Sequence, residues 1–214
     1  MKAETKKRLI ILSPVVIIGV DHLVARVAGH FWGAWAFVPV VLVAWCMSVF
    51  FIFWGGGFPS IRKWLKKPEG SFGWAILALS VSLVTLPMFL LHWRLLAPWF
   101  IWLPWILIAL INPWIEEFYW RGLLLDHTNR WPGWLAIVFS SAVFAINHPM
   151  AFGVNSVLNR GGTILVSTFI MGLIWAVVYR KTRSLWWPIL GHFLTDLFCL
   201  SVPAFLNLFH AGWK

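Results

Sequence analysis

Six ionisable side chains stand inside otherwise apolar stretches of this chain: Glu116, Glu117 and Arg121; His148, four residues after Phe144; and His192 with Asp196. Their types suit one chemistry. Carboxylates and imidazoles take and return protons, and together they activate water for attack on a carbonyl. An ionisable group deep in a bilayer costs at least ~2.5–3.5 kcal/mol even on lenient scales, so such residues mark function by default. Buried together, they are tolerated best as one cluster of mutual partners, and a shared cluster of this composition is a candidate active site.

Spacing sharpens the reading. On a helix, Glu117 and Arg121 lie at i, i+4, within salt-bridge reach on one face. Glu116 points about 100° away and has no local cation, which separates its job from that of Glu117 and suits it to general-base work. Phe144 and His148 share a face, so the aromatic ring walls one side of the imidazole, and Pro149 perturbs the backbone just beyond. His192 and Asp196 repeat the spacing, and a carboxylate beside an imidazole sets its tautomer. Each pair alone also reads as packing; the three together read as a site. Gly172 and Gly191 allow close helix approach.

Other residues carry less. Cys46 and Cys199 lie in apolar runs and read as small hydrophobes. Ser140 and Ser141 have no Gly-x-Ser-x-Gly and no triad logic. Glu116, His148, His192 and Asp196 are also zinc-ligand types, but no His-Glu-x-x-His helix supplies paired ligands with a built-in base. The expectation is chemistry without a cofactor, with zinc as the alternative.

These residues must be positioned by a membrane bundle. The chain is 61% hydrophobic and 11% charged over 214 residues, against about 45–50% and about 25% in soluble domains. Its mean hydropathy is +0.82. An all-α, polytopic transmembrane bundle of about seven spans is predicted, with six or eight as alternatives. A span needs about 20 apolar residues, and the segments are 9–27, 31–54, 72–91, 98–125, 134–154, 163–179 and 186–208. Residues 1–214 read as one membrane domain, with 98–200 as its catalytic core. Many of the 18 Trp sit near segment ends, among them Trp32, Trp54, Trp99, Trp134, Trp186 and Trp187, where the headgroup level suits an amphipathic ring.

The net charge of +10 does not imply nucleic acid, because the basic residues are dispersed around hydrophobic spans. They report topology. One group comprises Lys2, Lys6, Lys7 and Arg8; Arg62, Lys63, Lys66 and Lys67; Arg121 and Arg130; and Arg180, Lys181 and Arg183. The other is only Arg26, Arg94, Arg160 and Lys214. The larger group belongs in the cytoplasm, with the N-terminus, and the bias holds with Arg121 counted as intramembrane instead. The first apolar run lacks a clear cleavage site and reads as a retained helix. Asp21, His22 and Arg26 read as interfacial. The absence of an Asn-x-Ser/Thr acceptor fits a non-glycosylating host, and the expected location is a bacterial cytoplasmic membrane.

Glu-Glu-x-x-x-Arg at 116–121, Phe-x-x-x-His at 144–148 and His-x-x-x-Asp at 192–196 resemble the three motifs of the CAAX-processing and bacteriocin-processing (CPBP, or Abi) intramembrane proteases, in order and in spacing. The resemblance covers residues 98–200. It implies an endopeptidase of the glutamic type, with Glu116 as general base and His148 as its partner. It further implies His192 and Asp196 at the oxyanion, with Glu117 and Arg121 shaping the site. Prenyl-protein-processing members carry Asn where this chain has Asp196. An ionised Asp cannot donate to an oxyanion, so Asp196 acts in its acid form or by orienting His192. The expected substrate is therefore a membrane-associated protein or peptide of a bacterial processing or sorting pathway rather than a prenylated C-terminus. The competing class is a non-enzymatic membrane protein, a proton-coupled transporter or an immunity factor, since buried Glu, His and Asp also build proton relays. Against the transporter, no repeated pair of interrupted helices is visible.

Overall fold

The computed structural model describes residues 3–211, all helix, turn and loop with no strand among the described residues. Lys2 and Lys214 of the charge pattern lie outside them.

The first helix, α1 (Ala3–Trp32), is 30 residues long and contains Pro14. Proline cannot donate to the carbonyl one turn back. Ser13 Oγ serves Ile10 O instead, at 2.7 Å, and also meets the Tyr119 hydroxyl at 2.6 Å. After a 3-10 turn at Gly33–Ala36 the chain returns as α2 (Phe37–Gly55). The apolar run Glu4–Gly55 spans 52 residues, about 78 Å of helix. It therefore forms an antiparallel pair rather than one span. A side-chain carbon at Gly55 would lie 3.1 Å from Ile10, so the end of α2 meets the start of α1.

A short amphipathic helix, α3 (Gly57–Trp64), leads to α4 (Gly73–Leu83) and α5 (Leu86–His92). Next comes a continuous run of α6 (Trp99–Glu116), a seven-residue π-helical segment (Glu117–Leu123) and α7 (Leu124–His127). Then follow α8 (Gly133–Ala151), α9 (Gly162–Thr182), α10 (Trp186–Phe198), α11 (Ser201–Phe205) and α12 (Leu208–Ala211).

Among the described residues, five runs are long and apolar enough to cross a bilayer, and the first of them is the doubled α1–α2. The protein is thus an integral membrane protein. The seventh expected segment, 186–208, does not form a continuous span. Leu200 adopts a left-handed φ of 52° and ends α10 after 13 residues, about 20 Å. The chain still crosses, in two pieces. Trp186 Nε1 donates to Leu65 O at one face of the bundle. At the other face Phe205 stacks on Phe37 and Phe152, with ring centroids 5.1 and 4.8 Å apart.

The start of α1, residues 62–67, Arg130 and residues 180–183 gather at one face. Lys63 meets Asp126 at 2.9 Å, and Glu69 N donates to Thr182 O at 2.8 Å. Arg26 near the end of α1, Arg94 in the 3-10 turn Trp93–Leu96 and Arg160 in the turn before α9 lie at the opposite face. The charge asymmetry of the sequence therefore maps onto two faces of one bundle.

Lipid tails are as apolar as the helix surfaces, so close packing and small residues hold the helices together. At Gly172 an added side-chain carbon would lie 3.0 Å from Ser141 Cβ. At Gly191 it would lie 2.5 Å from Ala78 O and 3.0 Å from Trp175 Nε1. Trp175 Nε1 already donates to Ala78 O at 3.1 Å, so neither neighbour moves freely. Gly191→Ala is expected to destabilise the bundle by about 1–3 kcal/mol through overpacking. Gly19→Ala, which meets nothing within 4 Å, gains up to ~1 kcal/mol of helix propensity. Thermal midpoints of the two purified variants, moving in opposite directions, check this.

Candidate active site

The three motif helices bring their polar residues to one buried cluster. Glu117, in the π-helical segment, is its hub. Its Oε1 accepts from Arg121 Nη1 at 3.0 Å and from His192 Nδ1 at 2.9 Å. The i, i+4 pairing of Glu117 with Arg121 is therefore present, and it extends across to α10. Segments of π-helix occur often at functional sites, and this one carries both Glu117 and Arg121.

The other nitrogen of His192 faces two more carboxylates. Nε2 lies 3.6 Å from Glu116 Oε2 and 3.6 Å from Asp196 Oδ1, too long for hydrogen bonds but close enough for strong electrostatic coupling in a dry interior. Trp175 stacks on the imidazole, with centroids 4.8 Å apart and planes at 19°. His192 is thus fixed by a carboxylate at Nδ1 and by an indole on its face, so Nε2 has one direction to point.

Arg121 is buried between rings. Its guanidinium carbon lies 4.0 Å from the Phe144 centroid and 5.4 Å from that of Trp175, where cation–π attraction adds to the ion pair. Phe144 touches both imidazoles, at 4.8 Å from His148 and 6.1 Å from His192. The expected wall beside His148 is there, and it separates the two histidines.

His148 Nδ1 bonds the Phe144 carbonyl at 3.0 Å. A carbonyl only accepts, so Nδ1 carries the proton and Nε2 is left as an acceptor. No hydrogen bond or ion pair joins His148 to Glu116 among the described residues; the imidazole against Glu116 is His192. The tertiary arrangement thus differs from the simple pairing of Glu116 with His148.

Sequence reasoning missed four participants. Asn112 lies one turn before Glu116. Its Nδ2 donates to Asp196 Oδ2 at 3.2 Å, and its Oδ1 accepts from Trp45 Nε1 at 2.8 Å. A chain from Trp45 through Asn112 to Asp196 therefore holds the carboxylate beside His192. The signal available was an intramembrane Asn at i−4 from Glu116. Nothing local flags Trp45 or Trp175 among 18 tryptophans.

Asp21 is the fourth, and it corrects an expectation. His22 and Arg26 do sit at an edge: His22 Nδ1 bonds Met150 O at 2.8 Å, and Arg26 Nε donates to His22 Nε2 at 2.9 Å. Asp21 is not interfacial. It is 0% exposed, on the inward stripe of α1 with Ile17 and Ala25, and neither carboxylate oxygen has a hydrogen-bond partner. A buried polar group without partners costs about 1–3 kcal/mol. Asp21→Leu is therefore expected to raise the thermal midpoint, by about 2–4 °C per kcal/mol at this size. A lowered midpoint would show that the carboxyl is stabilising as it stands.

Ser140 and Ser141 are spent on backbone, donating to Trp120 O and Ile137 O. Both cysteines are free thiols, Cys46 exposed and Cys199 half-buried. Among the described residues, no three His, Cys, Asp or Glu side chains converge closely enough to hold a metal ion.

Residues 97–198 match the model of a family described as type II CAAX prenyl endopeptidase Rce1-like. The match spans 102 of 214 residues, just under half of the chain, and contains all three motifs. Asp21 and Trp45 lie outside it. No curated protein and no solved structure matches the chain.

Proposed function

We propose, from the match of residues 97–198 to the Rce1-like family of CAAX-type endopeptidases, that this chain hydrolyses a peptide bond of a membrane-associated substrate by a glutamic-type mechanism. The observation that carries this reading is the convergence of three carboxylates, Glu116, Glu117 and Asp196, on the His192 imidazole in a buried site.

Glu116 takes a proton from water, which His148 orients through its accepting Nε2. The water oxygen bonds to the scissile carbonyl carbon. His192, as the doubly protonated imidazolium among three carboxylates, keeps its Nδ1–H on Glu117 and donates its Nε2–H to the oxygen that gains charge; removal of one such donor elsewhere costs ~2.7–4 kcal/mol. Glu116 then passes its proton to the leaving nitrogen as the C–N bond breaks. Asp196, tied to Asn112, holds the His192 ring in place. Glu117 and Arg121 act through His192 and shape the site.

The substrate class we favour is a bacterial leader peptide or a sorted, membrane-anchored protein, because Asp196 stands where prenyl-protein-processing members carry an amide. The basic face, with the N-terminus, is the cytoplasmic one in this reading. The reaction draws only on carboxylates and imidazoles, so cleavage is expected to survive exhaustive chelation with EDTA and 1,10-phenanthroline. Loss of cleavage on chelation, restored by zinc, would require a metal mechanism.

The test is a comparison of protein termini by mass spectrometry in membranes of cells carrying the wild type or Glu116→Gln. New termini that depend on Glu116 establish proteolysis and identify substrate and cleavage site together. Unchanged termini, with both proteins folded and expressed, would turn the reading toward a proton relay or an immunity role.

A further inference from the structure

A cavity of about 510 Å³ lies away from the buried cluster, at the basic face. It is walled by the end of α3 and the loop after it, by α7, and by the last turn of α9. Four cations line it, Lys63, Lys66, Arg180 and Arg183, against two acids, Glu69 and Asp126.

Those acids do not balance the charge. Asp126 is already saturated: Oδ2 accepts from Lys63 Nζ and Trp64 Nε1, each at 2.9 Å, and Oδ1 accepts from the Tyr179 hydroxyl at 2.9 Å. Lys63 is thereby committed as well. Lys66, Arg180 and Arg183 are left facing Glu69. Arg180 is half-buried, and its Nε and Nη2 have no acceptor among the described residues. A guanidinium with idle donors beside a concave, positively charged wall is a site for an oxyanion, which arginine binds through paired N–H groups.

Depth identifies the anion. The apolar runs Trp99–His127 and Gly162–Thr182 both end at this cavity, so it opens at headgroup level, where basic pockets between helices take lipid phosphates. We propose that Lys66, Arg180 and Arg183 form a binding site for a phosphate group, supplied by an anionic lipid headgroup. The site is independent of the protease reading. It also touches the catalytic run, since Asp126 lies five residues beyond Arg121 on one continuous helical stretch.

The test uses the full-length protein in vesicles of phosphatidylcholine alone or with added phosphatidylglycerol, followed by native mass spectrometry of retained lipid. The wild type is expected to retain phosphatidylglycerol in preference to phosphatidylcholine. At about fivefold in affinity for each basic residue that contacts the bound phosphate, Lys66→Gln with Arg183→Asn is expected to weaken retention roughly thirtyfold. The control pair Arg62→Gln with Lys67→Gln removes the same charge outside the cavity and is expected to retain the lipid. Glu69→Gln, which deletes the competing acid, is expected to strengthen retention up to about fivefold.

A separate arm titrates inorganic phosphate against bound phosphatidylglycerol in detergent. Displacement at low millimolar phosphate would keep the anion site but overturn the lipid as its source; persistence of the lipid supports it. Equal losses in the cavity and control pairs, or no gain in Glu69→Gln, would overturn the site itself.

Discussion

Glu116→Gln is expected to lower the yield of cleaved product by about 10²–10⁴, the usual contribution of a general base, or about 2.7–5.4 kcal/mol of barrier. The amide keeps the shape of the side chain but cannot take a proton from water. The fold has little to lose. Glu116 is 8% exposed, its Oε2 has no hydrogen-bond partner, and its nearest imidazole nitrogen is 3.6 Å away. The thermal midpoint should therefore stay close to that of the wild type while cleavage collapses. Product formation is measured as the ratio of cleaved to intact termini of one substrate. Full turnover in this variant would remove Glu116 from the chemistry, and a lost fold would move it into the structural frame.

Arg121→Met is expected to have the largest effect on stability. Glu117 and Arg121 are both fully buried and paired at 3.0 Å. Removing one partner of a buried pair leaves an uncompensated charge and costs about 3–5 kcal/mol, whereas replacing both by uncharged groups of similar size is often neutral or stabilising. The double variant Glu117→Gln/Arg121→Met should thus recover most of the midpoint lost in Arg121→Met. The amide oxygen at 117 still accepts from His192 Nδ1, but without charge, so the imidazole is held less firmly. The double variant is expected to fold and to cleave poorly. If Arg121→Met were no less stable than the double variant, Arg121 would not be the counter-ion that keeps Glu117 in the bundle.

Together the two experiments separate the roles of adjacent residues. Glu116 has no hydrogen-bond partner at Oε2 and little role in the fold, so its loss should register in turnover. Glu117 is embedded in an ion pair and a histidine contact, so its loss should register first in stability. Asp21 offers a third combination, a buried carboxyl without partners, whose removal relieves the fold.

What the chain alone determined was local. Apolar runs of about 20 residues mark spans whatever surrounds them, and the pairs Glu117–Arg121, Phe144–His148 and His192–Asp196 follow from the helical repeat. The uneven basic residues foretold which connections share a face. Tertiary structure decided everything that depends on how one helix is rotated and shifted against another. No local pattern distinguishes Asp21 pointing inward from His22 beside it at an edge, because α1 chooses its inner face only by packing. The imidazole nearest Glu116 is His192 rather than His148 because the π-helical segment turns Glu117 toward α10 and the Phe144 ring stands between the two histidines. The break at Leu200 that divides the last crossing, and the route from Trp45 through Asn112 to Asp196, likewise arise from contacts between residues far apart in the chain, where a shift of one residue, ~1.5 Å and about 100°, changes every partner.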